Sequence, residues 1–405
     1  MKQEVKPSQT KDKSAANIPP LARAVEQMPP SGIRRFFDIA ARMEGVVSLG
    51  VGEPDFVTPW AVREAAIFSL ERGATTYTSN YGLIELRRAI AAHLRSLYKV
   101  EYNPESEIVV TVGVSEGLDL ALRAILDPGD AVLVPEPAYV SYKPCVTLAG
   151  GVPVPVPTLA ENKFRPTVEQ LEKACTDTTK AVLLGFPSNP TGSTIPRAEL
   201  QPIVDFAVRR NLFLISDEIY DRLVYEGAHT CVAALPGARE RTILLNGFSK
   251  AYAMTGWRVG YACAPEHVLT AIVKIHAYTA LCAPITGQKA ALEALAHGEQ
   301  SVQEMVQQYN QRRRLIVQGL NEIGLPCHMP DGAFYAFPSI EPTGLTAEEF
   351  AERLLFEEKV AVVPGTAFGA GGEGHIRCSY ATSISNIETA LLRIQRFVTK
   401  LNKSR

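Results

Sequence analysis

"EIVVTVGVSEGLDLALRAIL", residues Glu107 to Leu126, decides how the chain is read. Ile108, Val109 and Val110 form a short uninterrupted apolar run, which reads as a buried strand. Gly113 breaks the run, and Leu118, Ala121, Leu122 and Ile125 then recur at the spacing of one helical face. Further apolar runs follow at 131–137, 181–186, 212–218, 242–248 and 259–264, several separated by helical patterns such as 199–209. The expected fold class is therefore α/β, with a mostly parallel central sheet covered on both faces. Ligands of such sheets bind beyond the carboxyl ends of the strands. After about Pro284 long helices take over, followed by "GAFYAFPSI" (332–340), another helix from Thr346 and "VAVVPGTAFG" (360–369), expected to form a smaller α+β domain. The scheme is a flexible N-terminal tail over 1–30, a large domain over 49–285, and a small domain from 31–48 with 286–405.

At 405 residues the chain exceeds the roughly 250–300 at which one core stops growing, so two or more domains are expected. Its 46% hydrophobic and 21% charged residues are ordinary globular usage, which argues against extensive disorder. A net charge of -2 offers no excess of cations to a polyanion, so no nucleic-acid partner is expected. Arg312, Arg313 and Arg314 lie in a helical pattern with Tyr309, Leu315 and Ile316 and read as a solvated face. The seven cysteines are scattered, odd in number and never paired as C-x-x-C, which fits a reducing compartment and gives neither a disulfide frame nor a metal site. The first twenty residues lack the apolar segment of a secretory signal, and no run of about 18 apolar residues could span a membrane. Cytoplasm is the expected location, with no membrane partner.

Polar groups collect where the apolar runs stop. Gly113-Val114-Ser115 opens a helix, where free N–H groups and the helix dipole favour a phosphate; a plain serine cap explains it as well. Asp217-Glu218 ends "LFLISDE", and a carboxylate there needs a cation or a donor, or else caps a helix. "PSNPTG" (187–192) is a turn by composition.

In order along the chain, Gly113-Val114-Ser115, Tyr139, Asn189-Pro190-Thr191-Gly192, Asp217-x-x-Tyr220, Ser249-Lys250, Arg258 and Arg377 resemble the class I aminotransferases, the fold type I pyridoxal-phosphate enzymes. The resemblance runs from about Ser31 to Phe397, and "SKAYAMTGWRVG" (249–260) is similar to their lysine signature almost letter for letter.

That resemblance implies pyridoxal 5'-phosphate as cofactor and a role for each residue. Lys250 would bond the cofactor aldehyde and later serve as general base. Asp217 would face the pyridine nitrogen; Tyr220 and Asn189 would bond the ring oxygen, and Tyr139 would stack on the ring or else be a core tyrosine. Arg258, Ser249, Ser115 and Val114 would hold the phosphate. The glycines of the signature would let backbone approach the cofactor closely. Arg377 would clamp the substrate carboxylate. Tyr77 would reach the phosphate of a neighbouring subunit, which implies a homodimer. Gly52 would pass close to the substrate, or be a turn glycine.

Two positions depart from the pattern. Gly247 stands where several relatives carry a phosphate-binding hydroxyl. Glu116 adds a carboxylate beside the phosphate, and its side chain is expected to turn outward and leave only backbone for the cofactor.

The implied activity is amino-group transfer from an L-amino acid to a 2-oxo acid such as 2-oxoglutarate, with ping-pong kinetics. "SGIRRFF" (31–37) resembles the segment that closes over substrate in the subgroup of aromatic and acylated-diaminopimelate aminotransferases. Ile33 and Phe36 would then favour a bulky or aromatic side chain, and Arg34 or Arg35 would meet a distal carboxylate; the stretch also reads as a simple amphipathic helix start. A carbon-sulfur β-lyase, or an aspartate, alanine or acylated-diaminopimelate aminotransferase, would use the same cofactor residues. A non-catalytic sensor domain would keep Lys250 too, but needs a DNA-binding module that a 30-residue tail is too short to form.

Overall fold

The computed structural model describes residues 19–28 and 42–403. The chain divides into two units, 1–30 and 31–405. The described part of the first carries one helical turn, Arg23–Glu26. Ile33, Arg34, Arg35 and Phe36 lie outside the described residues.

The second unit begins with the short strand β1 (Val47–Ser48). A seven-stranded sheet follows, built from β2 (Ile108–Thr111), β3 (Ala131–Glu136), β4 (Val152–Pro157), β5 (Thr179–Gly185), β6 (Phe213–Asp217), β7 (Thr242–Gly247) and β8 (Gly260–Cys263) in the order β2-β8-β7-β6-β5-β3-β4. The pairs from β4 through β7 are parallel, and β8 lies antiparallel between β7 and β2. Side chains that alternate along each strand enter cores on opposite faces. Val132, Ala181, Leu183 and Ile215 pack with the helix Gly113–Ile125 on one face. Leu133, Val182, Leu184 and Leu214 pack with Leu200, Ile203 and Phe206 of the helix Arg197–Arg209 on the other. Burial on both faces is why these strands read as unbroken apolar runs.

β4 carries "VPVPVP", a pattern that was not among the expected strands. Proline cannot donate to a ladder, and β4 tolerates three because it is the outer strand, paired only with β3.

Beyond the sheet come the helices Ile285–His297 and Glu299–Ile323, then β9 (Tyr335–Ala336), β10 (Val360–Ala361), β11 (Val363–Pro364) and β12 (Ile376–Ser379). β11, β12 and β9 form an antiparallel sheet, and β10 pairs in parallel with β1. Their core joins Phe334, Tyr335 and Ile376 to Tyr309, Ile316 and Leu320 of the long helix and to Ile387, Ile394 and Phe397 of the helix Ile384–Lys403.

The expectation of a solvated arginine face fails at two of its three residues. Arg313 is buried, with its guanidinium on Glu226 and the Pro330 carbonyl, and Arg312 is buried against Asp55 at 2.7 Å with its plane near Phe56. Helical spacing could not show this, because the acceptors come from distant segments.

All seven cysteines are free. No described helix is long and apolar enough to cross a membrane.

Candidate active site

The carboxyl ends of β5, β6 and β7 open into a cavity of about 660 Å³. Its walls carry Val114, Ser115, Tyr139, Asn189, Asp217, Tyr220, Ser249, Lys250, Arg258 and Arg377, with Gly52 from the segment after β1. Residues spread over more than 300 positions thus meet as the order of strand ends requires.

Lys250 follows β7 by three residues. Its Nζ donates to the Gly52 carbonyl at 2.7 Å, and burial, partly offset by Glu53, lowers its pKa to about 8. Asp217 is the last residue of β6. Burial raises its pKa to about 6, while the Tyr142 hydroxyl at 2.9 Å and the Ile219 N–H at 3.3 Å pull the other way. Tyr142 was not read from the sequence; its signal is the repeat of tyrosine three residues after Tyr139, at the start of the helix Tyr142–Leu148. Gly185, level with Asp217 on β5, gives it room, since a Cβ there would collide with the Tyr142 hydroxyl. The acid next to Asp217 faces elsewhere: Glu218 is buried, accepting from Ser216 Oγ and the Val232 N–H at 2.9 Å each and pairing with His229 at 2.6 Å.

Arg377 on β12 is also buried. Its Nη1 donates to Asn189 Oδ1 at 2.9 Å and its Nη2 to the Gly50 carbonyl at 2.5 Å. Its Nε has no hydrogen-bond partner among the described residues, a donor that a carboxylate in the cavity would satisfy. Arg377, Lys250 and Arg312 therefore fasten Gly50, Gly52 and Asp55 along one strip of chain.

Two glycines of the lysine signature behave differently. A Cβ on Gly260 would lie 2.6 Å from the Val114 nitrogen, so glycine lets β8 meet the Gly113-Val114 turn; a Cβ on Gly256 would meet nothing within 4 Å. The close approach is thus between backbone and backbone. Gly247 follows from the same contact, because a Cβ there would sit 2.9 Å from the Gly260 Cα. A hydroxyl residue has no place at 247 while 260 packs this tightly. Arg258, at φ 54°, sits in the left-handed region at the end of the turn Thr255–Trp257 and donates from Nη1 to the Thr255 carbonyl at 2.9 Å.

Three candidates stand apart. The Glu116 side chain does not line the cavity. Its Oε2 accepts from the Val112 N–H at 2.6 Å and its Oε1 pairs with Nδ1 of fully buried His276 at 2.9 Å, so it is folded back under its own helix rather than turned outward to solvent. Tyr77 is 81% exposed and outside the cavity. Ile33 lies outside the described residues. The cavity also contains Tyr335 of "GAFYAFPSI", a position that no sequence motif marks.

The donor set fits a phosphorylated pyridine aldehyde. A buried amine with a lowered pKa can reach an aldehyde, and a buried strand-end carboxylate can face a ring nitrogen. A helix N-terminus beside Ser115, Ser249 and Arg258 can hold a phosphate.

The model of the family described as aminotransferase class I and II matches residues 44–394. The chain is 49% identical to the aspartate aminotransferase of Pyrococcus abyssi, covering 91% of this chain and 95% of the other. It is 45% identical to aromatic-amino-acid aminotransferase 2 of Thermococcus litoralis, over 93% and 97%. The solved aspartate aminotransferase of Thermus thermophilus with maleate superposes with a TM-score of 0.89 at 42% identity, over 94% of this chain and all of that one. The agreement extends over nearly the whole length of both partners in every pairing, and the chain belongs to the class I aminotransferases, pyridoxal-phosphate-dependent enzymes of fold type I.

Proposed function

We propose that this aminotransferase takes its amino group from a bulky or aromatic L-amino acid and passes it to a 2-oxo acid such as 2-oxoglutarate, in two alternating half-reactions. The observation that carries the donor preference is the apolar wall of the cavity. Among the described residues the only cations lining the cavity are Lys250, Arg258 and Arg377, and each has a task in the common chemistry, while Val51, Leu118, Ile219 and Tyr142 supply apolar wall. The distal carboxylate of 2-oxoglutarate, which enters the same cavity in the second half-reaction, would call on a cation beyond these three, such as Arg34 or Arg35, so the donor preference rests on the apolar wall.

When bound, pyridoxal phosphate supplies the aldehyde and the electron-accepting ring that make an amino acid's α-proton acidic. The chain's own residues then divide the work. Ser115, Ser249, Arg258 and the Val114 N–H hold the phosphate. Asp217, as an anion, would hold a proton on the cofactor's pyridine nitrogen. Tyr220 and Asn189 would donate to the cofactor's ring oxygen, and Tyr139 would stack on its ring. Arg377 holds the α-carboxylate with Nη1 still steadied by Asn189. Lys250 moves the α-proton, and its pKa of about 8 lets Nζ both take and return a proton near neutral pH.

The active unit is proposed to be a homodimer with Tyr77 reaching the neighbouring site. In support, Tyr77, Trp60, Phe68 and Tyr278 expose large apolar surfaces, and the Tyr77 loop is braced by bonds from Asn80 to the Leu281 carbonyl and from Gln288 to Thr78. We also propose a large domain over 49–285 and a small one over 31–48 with 286–405, and a cytoplasmic location compatible with seven free cysteines.

A donor panel tests the reading. Phenylalanine or tyrosine with 2-oxoglutarate should give a higher kcat/KM than aspartate, with parallel double-reciprocal lines. The reverse order would assign the aspartate specificity named for the Pyrococcus abyssi relative, and pyruvate from cystathionine without amino transfer would make the enzyme a β-lyase.

A further inference from the structure

Tyr335 touches three parts of the site at once. Its hydroxyl lies 2.8 Å from the Tyr220 hydroxyl. The Arg377 guanidinium carbon stands 4.6 Å from its ring centroid. A Cβ on Gly52 would lie 2.7 Å from its hydroxyl oxygen. The whole side chain is buried.

The sheet register explains the convergence. Tyr335 on β9 pairs with Ser379 on antiparallel β12, which places Arg377 two residues along on the same face, the diagonal position that aromatic and long side chains bridge. The ring is thereby a floor under the guanidinium, and its face favours the cation in a desolvated setting. At the far end of the ring, the hydroxyl meets the Tyr220 hydroxyl. A hydroxyl has one proton, so a Tyr220 that accepts from Tyr335 keeps its own proton free to donate into the cavity.

We propose that Tyr335 is a positioning residue that sets both donors of the site, aiming the Tyr220 proton into the cavity through its hydroxyl and fixing the Arg377 plane through its ring. The inference rests on the roles given above to Tyr220 and Arg377. It adds that the two are coupled through one side chain, whose two functions can be separated by substitution.

The test uses pyridoxal-phosphate-loaded wild-type, Tyr335→Phe and Tyr335→Leu proteins, with two readouts that need no turnover. The first is the pH midpoint of the visible absorbance, which a hydrogen bond to the ring oxygen depresses. The second is the dissociation constant for 3-phenylpropionate, a carboxylate with no amine to react. Tyr335→Phe should raise the midpoint by roughly half a pH unit or more, the size of one ordinary hydrogen bond, and leave carboxylate binding within about two-fold. Tyr335→Leu should raise the midpoint similarly and also weaken the carboxylate roughly ten-fold, the size of a desolvated cation–aromatic contact. An unmoved midpoint in Tyr335→Phe, or equal weakening of the carboxylate by both variants, overturns the proposal. Wild-type protein that does not bind 3-phenylpropionate in competition with the amino acid would instead overturn the reading of Arg377, and the coupling with it. Should the leucine variant fail to fold, Tyr335→Met supplies the ring-free comparison.

Discussion

The Tyr142 hydroxyl reaches Asp217 Oδ2 at 2.9 Å, and this bond restrains a carboxylate that burial pushes up to about 6. Tyr142 is buried and its own pKa is pushed well above the ordinary value, so at any working pH it is a neutral donor. A hydrogen bond to the anion favours the anion, and its loss must raise the Asp217 pKa further. Tyr142→Phe should therefore shift the acid limb of the kcat/KM profile upward by roughly half to one pH unit. A profile superimposable on that of the wild type would uncouple Tyr142 from the acid.

Lys250→Met should abolish transamination and stabilise the cofactor-free protein. Burial lowers the folded-state pKa to about 8 from an ordinary 10.5. Below pH 8 the folded chain carries the full cost of a buried charge, and between pH 8 and 10.5 that cost disappears as only the unfolded chain stays protonated. The variant's Tm should exceed the wild type's by about 3–5 °C at pH 7, with the gap closing toward pH 10.5. A gap that is independent of pH would mean that packing rather than charge separates the two.

Gly247→Ser would supply the phosphate-binding hydroxyl that the family resemblance implies at this position, yet no gain in cofactor affinity is expected. The new Cβ would press on the Gly260 Cα at 2.9 Å and the Val259 carbonyl at 3.0 Å, both backbone atoms. The cost should be about 1–3 kcal/mol in denaturant unfolding. Tighter binding of pyridoxal phosphate at unchanged stability would refute the steric account.

Gly52→Ala should impair the enzyme by collision with the Tyr335 hydroxyl, whose oxygen would lie 2.7 Å from the added methyl while the nearest ring carbon stays at 3.6 Å. Removing that oxygen should relieve the clash, so Gly52→Ala with Tyr335→Phe is expected to be more stable than Gly52→Ala alone by about 1 kcal/mol or more. Additive effects in the double-mutant cycle would show that the two positions do not compete for space.

The α/β frame was legible because strands covered on both faces cannot hide their composition: Val109 and Leu183 go to one core, Val110 and Leu184 to others, and each needs an apolar side chain. Lys250, Asp217 and Arg377 were legible through resemblance, the first two as short motifs at or just past strand ends and the third within β12. Other features depended on contacts between distant segments. The prolines of β4 concealed a strand that only its outer position permits. Arg312 and Arg313 resembled surface residues because Asp55 and Glu226 lie far off in sequence. Tyr335 resembled any core aromatic until the register of β9 on β12 set it beneath Arg377.

The strip from Gly50 to Asp55 carries a further consequence. Arg377 and Lys250 each grip one of its peptide oxygens, while Arg312 grips a carboxylate at its end. A ligand that takes the Nη2 or Nζ hydrogen now given to Gly50 or Gly52 displaces the protein's own backbone rather than bulk solvent, so part of the affinity measured at this site is the outcome of an exchange. The third grip takes no part in that exchange and holds the end of the strip at Asp55.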